Sequence, residues 1–289
     1  MESFELFTSI RVDSQLQQSS ANSELQLNSN VKHSNLYMIR FHRDRILSAA
    51  EHFGWDSAQQ TLKDEDTFLK SINAYIEQHN PEDSRPLRLK ILLSKSGTLD
   101  FTSSPTPPVP LSQLFPSTLD LPQHRPEAKP LKTSPLTGGA LTLGPGTYIP
   151  PSHPLSPPWP IHISPHPITP SPFTSYKTTQ RNIYDTARRD CGISDLATEA
   201  EVLLVNDRGE VMEGSMTSVY FFRGGRWVTP PGESGGQRGT TRRWALERGL
   251  CVEEVVRRRD VEEGEEVWVS SGVRGFRRGV VRLGKDGSQ

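Results

Sequence analysis

Apolar and polar residues alternate over Phe4–Asp13 (FELFTSIRVD), a period of two that predicts a β-strand. The polar run from Ser14 to Asn35 predicts a loop. From Leu36 to Trp55 the period changes: Ile39, His42, Ile46, Ala49 and Phe53 recur at helical spacing. A second helix is expected over Asp64–Gln78. The stretch RPLRLKILLSKSGTLDF, residues 85–101, predicts two strands about a Ser-Gly turn. The order β, α, α, β, β describes a small α/β layer structure.

The second half carries denser signals. WPIHISP from Trp159 predicts a strand, and TTQRNIYDTARRD predicts a helix capped near Thr178 and ending at Cys191-Gly192. Glu199–Pro231 predicts three strands, with turns at Asn206–Gly209 and Gly224-Gly225. A glycine-rich loop, GESGGQRG, then feeds a helix that starts at Thr240. A strand, a Ser-Ser-Gly break and a last strand follow. No internal repeat is present.

Between the halves the pattern fails. Twenty of the 24 prolines fall between Pro105 and Pro172. Proline fixes φ and removes a backbone donor, so this stretch is expected to be extended or irregular. The expected division is a small N-terminal α/β domain (1–102), a Pro-rich insert (103–158) and a larger β-rich domain with helices (159–289). The class is α/β (α+β).

Composition narrows the function. The 289 residues carry a net charge of −1, and acidic runs alternate with the basic ones. That profile excludes a nucleic-acid or anionic-membrane surface as the default partner. Two distant cysteines, Cys191 and Cys251, make neither a disulfide framework nor a zinc site. No apolar run approaches a membrane span, and the N-terminus lacks a signal pattern. The expectation is a cytoplasmic protein without a metal.

Four features could carry chemistry. Lys177 is the only lysine between Lys132 and Lys285, a region otherwise supplied with arginine, and is expected at a strand-to-helix junction. An arginine could not form an imine; a lysine with depressed pKa can. Gly235–Leu250 (GGQRGTTRRWALERGL) brings glycines to a helix whose first turn holds Thr240 and Thr241. That is either an anion site or a mobile loop followed by a threonine cap. It is not a Walker loop, since no lysine follows the glycine. Glu213 places a carboxylate inside a strand. His42 and Arg45 share a helix. An amine, an anion cradle, an acid and an extra arginine together suit pyridoxal 5′-phosphate, which has an aldehyde, a phosphate and a pyridine nitrogen.

SYKTTQRNIYDTAR, EVLLVNDRGEVMEGSMTSVYFF, WVTPP, GGQRGTTRRWALERGL and EEVWVSSGVRGF, in this order, resemble the motifs of the fold-type IV pyridoxal-phosphate enzymes. FELFTSIRVD and HRDRILSAA resemble that family's opening strand and His-x-x-Arg helix. The resemblance implies a two-domain fold with the cofactor between the domains, and a homodimer. It implies Lys177 as Schiff-base lysine and general acid/base, and Glu213 at the pyridine nitrogen. Gly239, Thr240, Thr241 and Arg45 would hold the phosphate, with Arg181 beside the lysine. Two positions depart from the family pattern: Ser218 stands where asparagine is usual, and Ser271-Gly272 replaces Asn-Ser or Gly-Thr, leaving Ser271 to supply a hydroxyl. Within the family, the wording is most similar to the fungal 4-amino-4-deoxychorismate lyases, with Arg11 and Arg274 expected to meet substrate carboxylates. A class IV aminotransferase acting on branched-chain or D-amino acids needs the same lysine. A non-catalytic homologue offering PTPPVP as an interaction segment is the third alternative.

Overall fold

A computed structural model of the chain describes residues 4–27, 34–80, 85–122, 157–195 and 197–283. Two sheets organise it. The smaller is antiparallel, in the order β1 (Leu6–Val12), β2 (Leu87–Leu93), β3 (Leu99–Pro105). The larger has eight strands in the order β6-β5-β4-β11-β10-β7-β8-β9, and is mixed: β4 lies parallel to β5 and β11, and β8 parallel to β9.

The small sheet follows from its pattern. In β2 every second residue, Leu87, Leu89, Ile91 and Leu93, is buried, while Arg88 and Lys90 face the other way. The polar run after β1 is not a plain loop; it holds a 3₁₀ turn (Ser14–Gln18) and helix α1 (Ser20–Ser23). Three further helices join β1 to β2: α2 (Ile39–His52), α3 (Asp56–Lys63) and α4 (Glu65–His79). Only α2 and α4 were expected. In α3 the buried side chains are Ala58 and Leu62, a stripe too thin to stand out in sequence. Asp64 accepts from the Thr67 N–H at 3.0 Å and so starts α4.

The expected boundary at residue 102 falls inside β3, which pairs with β2 as far as Pro105. The next segment is part of the packing. Helix α5 (Leu111–Leu114) sets Leu114, fully buried, against the Gly275 end of β11. The carbonyls of Pro107 and Val109 accept from Arg11 and Gln15 at 3.0 and 2.8 Å. PTPPVP is thus anchored through the Pro107 and Val109 carbonyls and the buried Val109, while its four prolines stay exposed. Residues 123–156 of the expected insert lie outside the described residues.

In the larger sheet, β4 (Trp159–Ile163), β5 (Glu201–Val205) and β11 (Gly275–Val281) are central. Strand β5 is buried on both faces: Leu203 enters one core cluster, while Val202 and Leu204 enter another beneath α7 (Asn182–Asp190). Such a strand shows an unbroken apolar run. The stretch expected as three strands forms four: β5, β6 (Val211–Gly214), β7 (Ser218–Arg223) and β8 (Arg226–Thr229). The extra break comes from the buried Glu201 carboxylate. It accepts from Ser215 Oγ at 2.5 Å, the Met216 N–H at 3.1 Å and Thr217 Oγ1 at 2.7 Å, folding residues 215–217 into a turn. Helix α8 (Thr240–Glu247) packs against β10 (Glu266–Ser271), and β9 (Val252–Glu253) closes the far edge. The first core cluster runs from the small sheet through Leu114 to Tyr220, Trp244 and Phe276, so one apolar core spans both sheets.

Among the described residues no helix is long and apolar enough to cross a membrane, and no three His, Cys, Asp or Glu side chains group as a metal site. Leu114→Ala is expected to cost about 2–5 kcal/mol in urea unfolding, the usual range for a core leucine. A loss near zero would show that the proline-rich start is only loosely docked.

Candidate active site

Lys177 does not sit on a helix. A short helix, α6 (Pro172–Ser175), precedes it, and the chain then runs extended along β1. Phe7 N–H donates to the Lys177 carbonyl at 3.0 Å, and Thr179 N–H donates to the Glu5 carbonyl at 2.9 Å. Helix α7 begins only at Asn182, with Arg181 as its cap residue, not at Thr178 as expected. Backbone pairing with β1 keeps Thr178 and Thr179 out of the helix. Arg181 therefore reaches Lys177 without being its neighbour on a helix face.

Lys177, Glu213, Arg45, Arg181, Gly239, Thr240, Thr241, Ser271 and Arg274 all line one cavity of about 530 Å³. Lys177 is half-buried on the cavity wall, its amine 5.0 Å from the centroid of the Phe7 ring. Burial first, then the Arg181 and Arg45 cations, hold its pKa well below the ordinary lysine value, against the pull of Glu213. Glu213, on β6, is pushed the other way: burial raises its pKa, opposed by a 2.8 Å hydrogen bond from the Tyr184 hydroxyl and by Lys177. The Tyr184 hydroxyl also accepts from Gln237 Nε2 at 3.1 Å, tying the carboxyl to the glycine-rich loop.

The opposite end is built for an anion. Helix α8 starts at Thr240 with no side-chain cap on its N–H groups. Thr241 Oγ1 pairs with Ser270 Oγ at 2.8 Å, and Ser270 pairs with the Tyr220 hydroxyl at 2.8 Å. Thr240 Oγ1 is buried and has no hydrogen-bond partner among the described residues. Gly239 allows the close approach of β7: a Cβ there would lie 2.4 Å from Ser218 Oγ. Arg45 donates to Thr8 Oγ1. Burial lowers its pKa to about 10, so it remains a cation at neutral pH. The Ser271 hydroxyl accepts from the Arg274 N–H at 3.2 Å.

Arg11 does not line the cavity. Its guanidinium is buried in an ion pair with Asp13 at 2.6 Å and donates to the carbonyls of Pro107 and Val273. The segment Pro107–Val109 lies across it and occupies it. Sequence reasoning missed three other cations, Arg88 and Lys90 on β2 and Arg277 on β11. Arg88 and Lys90 on β2 line the cavity; Arg88 donates to Ser9 Oγ at 3.3 Å, and Lys90 stands 4.9 Å from the Phe7 centroid. Burial lowers the pKa of both. The signal was the alternation in LRLKILL, which gave the strand a polar face without showing what it faced. Arg274 lies 5.0 Å from the Trp159 ring centroid. Arg181 donates to the Ser215 carbonyl at 2.8 Å, which links it to the turn that Glu201 builds.

Residues 140–280 match the family model described as Amino-transferase class IV. Over 139 residues, 43% of this chain, the sequence is 32% identical to the aminodeoxychorismate lyase of Saccharomyces cerevisiae; the match spans 37% of that relative's length. A fold IV-transaminase from Curtobacterium pusillum superposes with a TM-score of 0.58 at 13% identity, over 97% of this chain and 79% of its own. A hypothetical aminotransferase from Mycobacterium tuberculosis in its PLP-bound form superposes with a TM-score of 0.55 at 13% identity, over 96% and 81% of the two chains. The fold is that of these proteins: mixed helices and strands with a large curled sheet.

The half-buried lysine has a consequence for stability without any ligand. Its folded-state pKa is depressed, so the charged form is penalised at neutral pH. The penalty vanishes once pH exceeds the ordinary value of 10.5, where the amine is neutral in both states. Lys177→Met is therefore expected to melt above the wild type at pH 7, with the gain shrinking as pH rises toward 10.5. A gain that is flat across this range, or a loss at pH 7, would contradict the depressed pKa.

Proposed function

With an amino-transferase class IV domain as the premise, we propose that this chain is a pyridoxal 5′-phosphate-dependent lyase that converts 4-amino-4-deoxychorismate to 4-aminobenzoate and pyruvate. One observation carries the reading: a half-buried lysine of lowered basicity shares a cavity with a buried carboxyl and an uncapped helix start. The donor set fits the cofactor. Thr240 Oγ1, buried and unpartnered, lies at the helix N-terminus where a phosphate ester would be held, with Thr241, Gly239 and Arg45 beside it. Glu213 is the carboxyl suited to the pyridine nitrogen, and Lys177 the amine suited to the aldehyde. When bound, the cofactor captures an amine covalently and accepts the electron pair left by a departing proton.

The residues then have defined work. Burial and neighbouring cations favour the neutral form of the Lys177 amine, which is placed to take the proton from the carbon that bears the substrate amine. Loss of that proton and of the enolpyruvyl ether makes the substrate ring aromatic. The same lysine is placed to return a proton to the enolpyruvate, giving pyruvate. Tyr184 holds Glu213 in one orientation through its 2.8 Å hydrogen bond. The substrate carries two carboxylates, and Arg88, Lys90 and Arg274 give the cavity a cationic wall to meet them. The name of the yeast relative supports the choice of substrate.

The assay is the purified chain, loaded with cofactor, incubated with 4-amino-4-deoxychorismate and no keto acid. Steady release of 4-aminobenzoate is expected, and Lys177→Ala should lower it by about 10²–10⁴-fold, the scale of a lost general acid–base. Borohydride should fix the cofactor mass on the peptide that contains Lys177. Activity only with an amino acid plus 2-oxoglutarate would replace the lyase by a transaminase. Absence of the fixed mass would overturn the cofactor assignment.

A further inference from the structure

Two buried polar atoms beside α8, His42 Nε2 and Thr240 Oγ1, have no hydrogen-bond partner among the described residues. His42 is 0% and Thr240 2% exposed. Both atoms face one point in space. A Cβ on Gly272 would lie 2.5 Å from His42 Cε1, 2.6 Å from its Nε2 and 3.0 Å from Thr240 Oγ1. The imidazole thus fills the space that a side chain on residue 272 would need. A histidine kept only for packing would be expected to have both nitrogens paired.

The direction of the ring proton follows from its neighbours. A guanidinium has donors and no acceptor, and Arg45 donates to Thr8 Oγ1. The same hydroxyl lies 2.6 Å from His42 Nδ1, the other contact it makes among the described residues. With Arg45 on one of its lone pairs, the hydroxyl proton has Nδ1 as its acceptor. An imidazole that accepts at Nδ1 carries its proton at Nε2. Burial first, then the Arg45 cation, favours the neutral ring by holding its pKa well below the ordinary value.

We propose that His42 is a positioning residue for the anion site. The relay Arg45–Thr8–His42 presents Nε2–H at the place a residue-272 side chain would occupy. In this structure Nε2 and Thr240 Oγ1 are not bonded to each other; with a phosphate ester bound, Nε2–H donates to the Thr240 hydroxyl, whose own proton then turns to the ester. The role rests on the cofactor reading above, but concerns grip on the phosphate rather than the reaction.

Three measurements test it. Nitrogen-15 NMR of the cofactor-free chain should show a neutral His42 with its proton on Nε2. Pyridoxal 5′-phosphate and pyridoxal, which lacks the phosphate, are then titrated into wild type and His42→Ala. Affinity for the phosphate ester should fall about tenfold or more, the scale of a lost hydrogen bond to a charged group, with pyridoxal affinity unchanged. Gly272→Ser alone should also weaken the phosphate ester, because its Cβ meets the imidazole. Placed in the His42→Ala background, the same serine should bind it more tightly than His42→Ala alone. Should His42→Ala not fold, Thr8→Val keeps the imidazole and removes the proton that locks it; the affinity ratio should fall in the same direction. A proton found on Nδ1, or an unchanged ratio in these variants beside a wild type that binds both aldehydes, would overturn this inference alone. A wild type that binds neither aldehyde would overturn the cofactor reading and this role with it.

Discussion

The site depends on the outer edge of a single strand. Strand β1 pairs with β2 on one side; on the other its backbone bonds to the lysine segment and to the break before β11. Phe7 N–H reaches the Lys177 carbonyl, and Arg11 N–H reaches the Gly272 carbonyl, each at 3.0 Å. Side chains alternate along a strand, so the residue that holds Lys177 also turns its phenyl ring to the cavity. A slip of one residue would turn Phe7 and Ser9 into the helix-packed face and Thr8 away from His42. Register along β1 therefore fixes the lysine, the base of the cavity and the Gly272 break beside Thr240 together.

The second constraint is electrostatic. Arg45, Arg88, Lys90, Lys177, Arg181 and Arg274 share a cavity in which Glu213 is the buried acid. Crowded cations favour anionic ligands and penalise one another. The penalty falls on the group that sheds a proton more readily: a guanidinium near pKa 10 stays charged, whereas burial and the same cations lower the pKa of the lysine amine. The arrangement costs stability in the empty protein, as expected where groups are tuned for chemistry rather than packing.

Much of this was legible in the residues, and what was not has identifiable causes. Lys177, Glu213 and the Thr240 helix start could be found because each is a residue type out of keeping with its local pattern. Arg11 was misplaced because its partners, Asp13, Pro107 and Val273, come from three separate stretches, and no local pattern shows that a proline segment will cross it. Arg88 and Lys90 stood in plain alternation, but the surface they face belongs to another sheet. The turn at residues 215–217 was hidden because its cause, Glu201, lies fourteen residues before Ser215 in the strand on which it folds. His42 was visible only in the helical periodicity and beside Arg45 on one helix; its importance emerges from the distance between its ring and a glycine 230 positions away.

The proline-rich start has its own physical logic. A wall between two sheets must cover buried polar groups without adding unpaired donors of its own. Proline has no N–H and keeps the chain extended, so a segment such as Pro105–Pro110 offers mainly carbonyls. Those of Pro107 and Val109 are taken by Arg11 and Gln15, while Pro105, Thr106, Pro107 and Val109 line the cavity. Arg11 then joins this segment to the Val273 carbonyl, beside the glycine that makes room for His42. The residue expected to hold substrate instead ties the proline segment to the strand break, and the cations left lining the cavity are those of β2, Arg274 and its neighbours.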